Sequence, residues 1–170
     1  MHGEMVVQSI YGKGSKFTVC IDQKIVDITP KEVVIPKEEA SVKRNYKGKR
    51  ILVVDDNKLN LKVAERLLKD YSVFVDETSS GADAIKRVEM GIPYNLILMD
   101  DMMPEMSGSE TLLKLKEKED FKIKTVVLTA NAIAGMKEKY LSIGFDDYLS
   151  KPIQRNELER VLDEYLKEEE

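Results

Sequence analysis

The chain has 170 residues, 42% hydrophobic and 34% charged, with one cysteine, Cys20, and a formal net charge of −4. That length suits one well-buried domain with an appendage, in a soluble globular protein of ordinary composition. No run reaches the length of a membrane span, the first residues lack the basic and apolar blocks of a signal peptide, and one thiol excludes an internal disulfide and a thiolate metal cluster. Charge is uneven: residues 1–49 carry a net +3 and residues 50–170 a net −7. An acidic main body argues against nucleic-acid binding, which depends on clustered Lys and Arg to neutralise phosphates. A cytoplasmic location without membrane contact is expected.

Residues 5–22 predict a β-hairpin. Met5 to Ile10 forms one strand, Tyr11-Gly12-Lys13-Gly14 the turn, and Ser15 to Asp22 the other, with Phe17, Val19 and Ile21 alternating against polar residues. Gly12-Lys13-Gly14-Ser15 lacks the earlier glycine and following helix of a phosphate loop, so a plain turn is the better reading. The segment Met1 to Phe17 resembles the closing part of the ATP-binding domain of sensor histidine kinases, with His2 where that family usually has glycine. The nucleotide-contacting boxes of that family lie upstream of such a segment. The resemblance therefore implies no ATP site here and a chain cut from a longer hybrid kinase, with residues 1–26 as the remnant. Residues 27–48, with Pro30, Pro36 and dense Lys and Glu, read as a linker in which Val33-Val34-Ile35 could form a weak edge strand.

From Arg50 the pattern becomes regular. Ile51 to Val54 predicts a buried strand ending in Asp55-Asp56, and Asn57 caps a helix from Lys58 to Lys69 with Leu61, Ala64, Leu67 and Leu68 on one face. Ser72 to Asp76 predicts a second strand. Ser79 or Ser80 then caps a helix carrying Ala82, Ala84, Ile85 and Val88, ended by Gly91 and Pro93. The uniformly apolar Leu96 to Met99 suits a strand buried on both faces, stopping at Asp100-Asp101 before Pro104 and the helix start at Ser107-Gly108. A helix to about Lys118, a strand from Lys124 to Thr129, a helix from Ala132 to Ser142, a strand at Asp147 to Leu149 and a helix from Asn156 to Lys167 complete the chain. Leu158, Val161, Leu162 and Tyr165 are expected to face inward from that last helix. Strands alternating with helices on short connections make a doubly wound α/β fold with a five-stranded parallel sheet.

Strand ends of one polarity share one edge, so Asp55, Asp56, Asp100, Thr129 and Lys151 converge. Three carboxylates held together stay ionised only if a cation joins them, and a hard divalent ion such as Mg²⁺ fits an all-oxygen site. Asp55-Asp56, Asp100 with Met103-Pro104 and Gly108, Thr129-Ala130 and Lys151-Pro152 agree in type, order and spacing. Across about residues 49–168 they resemble the receiver domain of two-component response regulators, a flavodoxin-like (βα)5 fold.

The resemblance implies that Asp100 is the phosphoacceptor and that Asp55 and Asp56, with Asp100 and the backbone carbonyl of Met102, hold Mg²⁺. It implies that Thr129 bonds the phosphoryl oxygen, that Lys151 neutralises it, that Tyr148 is the aromatic switch and that the Lys151-Pro152 bond is cis. The Met-Pro pair three and four residues after Asp100 sets the register against Asp101, a departure from the usual apolar residue, whose side chain should point away. Met102 and Asn131 occupy the variable flanking positions, and Met102, Met103 and Met106 read as loop packing, since no His or Cys accompanies them as a copper ligand.

The expected function is acceptance of a phosphoryl group from phosphohistidine within a phosphorelay, as the C-terminal receiver of a hybrid kinase whose parent chain, a protein histidine kinase, could be membrane-anchored. The domain is expected to catalyse only its own phosphorylation and dephosphorylation, with no separate substrate. Its partners would be a kinase dimerisation and phosphotransfer domain or a histidine phosphotransfer protein, with a weak homodimer left open. A phosphorylation-independent docking module is the alternative, opposed by the intact Asp, Thr and Lys set. An aspartate-nucleophile phosphatase would want an acid where Met102 stands.

Overall fold

The computed structural model describes residues 3–10, 12, 14–21, 44–130 and 136–167. The chain divides into two units, residues 1–41 and 42–170. In the first, β1 (Gly3–Ile10) and β2 (Gly14–Ile21) pair antiparallel from Gly3 opposite Ile21 to Ile10 opposite Gly14. The reversal needs left-handed backbone, and glycine supplies it at Gly12, with φ 77°. Cross-strand pairing puts Val7 against Phe17 and Met5 against Val19, and all four are exposed. The expected edge strand at Val33-Val34-Ile35 lies outside the described residues.

The second unit holds β3 (Arg50–Val54), α1 (Lys58–Lys69), β4 (Phe74–Thr78), α2 (Gly81–Glu89), β5 (Leu96–Asp100), α3 (Gly108–Lys116), β6 (Lys124–Thr129), α4 (Met136–Ile143), β7 (Asp147–Ser150) and α5 (Arg155–Leu166). The five strands are parallel, in the order β4-β3-β5-β6-β7. Strand period 2 sorts the side chains into two cores. Ile51, Val53, Leu96 and Leu98 pack with Leu61, Leu68, Leu158 and Leu162 of α1 and α5, while Leu52, Val54, Ile97 and Met99 pack with Ala84, Leu112, Leu115 and Tyr140 of α2, α3 and α4. All five residues of β5 are buried, each apolar one contributing about 1.5–3 kcal/mol, so the strand ending in Asp100 is firmly held.

Boundaries shift in places. The strand expected at Ser72 to Asp76 begins at Phe74 and runs to Thr78, because Ser72 turns through φ 59° and cannot join the ladder. Ser80, not Ser79, caps α2, its hydroxyl accepting from the Asp83 amide. Tyr165 is only partly buried, and Leu166 takes the inward position beside it. The start of the helix expected from Ala132 lies outside the described residues.

The last residues of the expected linker pack on this second unit. Tyr46 is 6% exposed, its amide donates to the Tyr71 carbonyl, and its hydroxyl donates to Asp163 Oδ1 at 2.6 Å. Arg44 pairs with Glu159 and with Asp163 on α5. Burial alone would raise the Asp163 pKa, but the Tyr46 and Arg44 hydrogen bonds outweigh it and hold the carboxyl below its ordinary value. A carboxyl lowered on folding stabilises the fold above its ordinary range, and that contribution is lost as pH falls through the folded value. In urea unfolding at stepped pH, the wild type should therefore lose stability below about pH 4 more steeply than Asp163→Asn. Parallel pH slopes would count against the pairing.

Candidate functional site

The site forms where β3, β5 and β6 stop. Asp55 follows β3 and is fully buried. Its Oδ1 accepts from the Asn57 amide at 2.9 Å and from Asn60 Nδ2 at 3.1 Å, and its Oδ2 accepts from Lys151 Nζ at 2.7 Å and again from Asn60 Nδ2 at 3.1 Å. Asp100 closes β5 at 5% exposure; its Oδ1 accepts from the Met102 amide at 3.2 Å and its Oδ2 pairs with Lys151 Nζ at 2.8 Å. One ammonium thus bridges two buried carboxylates. Lys151 reaches them because its amide donates to the Thr129 carbonyl at 2.8 Å, continuing the ladder past β7. The Lys151-Pro152 bond is cis, as expected.

Asp56 is exposed beside this pair. Asp55, Asp56 and Asp100 each present a carboxylate oxygen, and these oxygens lie within 4.8 Å of one another. Two buried acids and one solvent-facing acid, all oxygen donors, fit a hard divalent cation that keeps part of its water shell. Lys151 supplies only one positive charge to that cluster, so a cation can still be attracted to it.

Gly108 shapes the approach from the other side. A β-carbon there would lie 2.3 Å from the Asp100 carbonyl oxygen, so only glycine lets α3 start against the end of β5. Ser107 secures that start with a capping box, accepting from the Glu110 amide while the Glu110 side chain accepts from the Ser107 amide. Asp101 does turn away from the cluster, for its Oδ1 accepts from the Ser109 amide at 2.9 Å and the Ser109 hydroxyl at 2.6 Å.

Thr129, 3% exposed, ends β6, with its Oγ1 3.4 Å from the Tyr140 hydroxyl. Tyr148 lies half-buried on β7 with the Lys137 ammonium 5.4 Å above its ring, a cation–π contact with α4. Met103 is buried as expected, whereas Met102 is 78% exposed and does not pack into the loop. Asn131 lies outside the described residues.

Two site residues escaped the sequence reading. Asn60 is one helical turn past the Asn57 cap, and the signal was an amide set on the first turn of α1 near an expected buried acid. Tyr140 is 4% exposed and the one buried residue among those described on α4; nothing in a helix that also carries Met136, Leu141 and Ile143 singled it out. Burial pushes its hydroxyl pKa up, and the neighbouring Asp101 and Asp100 charges add to this against the opposing hydrogen bond to Thr129.

Comparison with known proteins follows the same residues. The family described as the response regulator receiver domain matches residues 51–163. The signal transduction histidine-protein kinase BarA of Escherichia coli K12 is 39% identical over 118 residues, and the sensor histidine kinase GacS of Pseudomonas protegens 34% over 139. These alignments cover 68% and 79% of this chain but only 12% and 15% of the relatives, so the chain spans a small part of their length. The receiver domain of the Pseudomonas aeruginosa sensor histidine kinase PA1611, solved with a magnesium ion coordinated in its active-site cleft, is 34% identical with a TM-score of 0.63, covering 70% of this chain and 98% of that one. The receiver domain of histidine kinase CKI1 from Arabidopsis thaliana, complexed with Mg²⁺ and BeF₃⁻, is 30% identical with a TM-score of 0.59, covering 71% and 91%. With sheet order, acid cluster and sequence in agreement from Ile51 to Asp163, the chain belongs to the response regulator receiver domain family.

Proposed function

We propose that this receiver takes a phosphoryl group onto Asp100 from a phosphohistidine, as one station of a phosphorelay. The observation that carries the reading is the bridge from Lys151 to Asp55 and Asp100 inside a cluster of three acids. An Asp100 oxygen attacks phosphorus in line; the O–P bond forms as the N–P bond breaks, and the imidazole nitrogen leaves with the electron pair and is protonated by solvent. Lys151 already stands at Asp100 Oδ2, so its charge meets the incoming phosphoryl oxygens without rearrangement. Asp55, Asp56, Asp100 and the Met102 carbonyl would hold Mg²⁺. Bound there, the ion would neutralise charge on the phosphoryl oxygens.

Thr129 then bonds a phosphoryl oxygen, and Tyr148 follows it inward as the switch, leaving the Lys137 contact. Relatives that are hybrid or sensor kinases support a parent histidine kinase, with residues 1–26 a remnant of its ATP-binding domain, 27–48 a tether whose last residues, Arg44 and Tyr46 among them, pack on the receiver, and 49–168 the receiver. A solved complex of the yeast phosphotransfer protein Ypd1 with the receiver domain of Ssk1 supports a histidine-bearing partner, here met in the cytoplasm.

The test is intact mass after incubation with acetyl phosphate. One added phosphoryl group with Mg²⁺, and none with EDTA, is the expected result. No gain with Mg²⁺, after a phosphorylated histidine donor has also been tried, would sink the reading.

A further inference from the structure

Asp101 and Tyr140, which the phosphoacceptor chemistry does not use, form a chain with Thr129. The Tyr140 hydroxyl donates to Asp101 Oδ2 at 3.1 Å and lies 3.4 Å from Thr129 Oγ1. A phenol has one proton, and a carboxylate is the stronger acceptor, so that proton goes to Asp101. The tyrosine oxygen then faces Thr129 as an acceptor only. Among the described residues, the Thr129 hydroxyl is the neighbour placed to donate to it, by turning its proton toward α4. Phosphoryl binding needs that same proton directed into the site. The tyrosine ring is held by packing, for it is 4% exposed and lies edge-on against Phe145 at 5.8 Å. Asp101 is equally fixed by its two bonds to Ser109.

We propose that Tyr140 is a positioning residue of the phosphoryl site, one that holds the Thr129 hydroxyl in its unliganded setting and so opposes phosphoryl binding. The inference rests on Thr129 being the hydroxyl that meets the phosphoryl group. It makes α4 a brake on activation, with Asp101 as its anchor.

Beryllofluoride, titrated at saturating Mg²⁺ by ¹⁹F NMR, reads the binding step without covalent chemistry. A hydrogen bond of about 0.5–1.5 kcal/mol corresponds to a change in affinity of about two- to tenfold. Tyr140→Phe keeps the ring and should bind beryllofluoride tighter by that factor. Asp101→Asn weakens the anchor and should give a smaller gain. Both gains should vanish in a Thr129→Ala background, which a merely structural role would not require. Unchanged or weaker binding by Tyr140→Phe, or a gain that survives Thr129→Ala, overturns the proposal while leaving the receiver reading intact. Failure of the wild type to bind beryllofluoride at all overturns both.

Discussion

Asp100→Asn is expected to abolish the phosphoryl gain from acetyl phosphate and Mg²⁺, while Asp101→Asn retains it. The two acids are adjacent in sequence and equal in charge, so position alone separates them. Asp100 is the last residue of a fully buried strand, and its Oδ2 contacts the Lys151 ammonium at 2.8 Å. Asparagine at that position keeps the shape and still allows the Met102 amide a partner, but an amide is a poor nucleophile and removes one of the three clustered carboxylates. Asp101 has its oxygens taken by Ser109 and Tyr140, away from the cluster. Intact mass, with a tryptic map locating the modified residue, checks both. A phosphoryl group on Asp100→Asn would show that another side chain accepts it, and loss of the gain in Asp101→Asn would move the acceptor by one residue.

What could be read beforehand follows from how local each signal is. A buried parallel strand announces itself, because both faces of Ile51 to Val54 and Leu96 to Met99 must be apolar. An acid directly after such a run has nowhere to go but the sheet edge, which is why Asp55 and Asp100 were legible despite the distance between them in sequence, whereas Lys151, just past the fifth strand, took its role from the family resemblance. Gly108 was legible as a motif residue, though its reason, the 2.3 Å approach to the Asp100 carbonyl, appears only in three dimensions. Asn60 and Tyr140 were not legible, since each acts on a residue from another element and neither breaks a local rule. The same holds for Tyr46. Nothing in Asn45-Tyr46-Lys47-Gly48 marks its ring for burial, and its contacts with Tyr71 and Asp163, together with the Arg44 ion pairs, hold the end of the expected linker against the receiver.

Lys151→Met should split two properties that usually fall together, slowing phosphorylation while tightening Mg²⁺. The ammonium is 19% exposed and satisfies Asp55 Oδ2 and Asp100 Oδ2 at once. Taking one partner from a buried ion pair costs about 3–5 kcal/mol of stability, and here the acids left behind repel each other. Methionine matches the length of the stem, so the loss is electrostatic and not a cavity. Added Mg²⁺ should therefore raise the urea midpoint more in the variant than in the wild type, since a cation that binds only the folded state stabilises it by mass action. Its dissociation constant should fall, because Lys151 no longer contributes a repelling positive charge. Phosphorylation by acetyl phosphate should nonetheless drop by about 10²–10³-fold, the usual cost of removing one preorganised charge-stabilising donor. Mg²⁺ binding by calorimetry and phosphorylation by mass, on the same preparation, decide the matter. Weaker Mg²⁺ binding in Lys151→Met would mean that the lysine organises the acids more than it competes with the ion, and an unchanged phosphorylation rate would remove Lys151 from the transfer step.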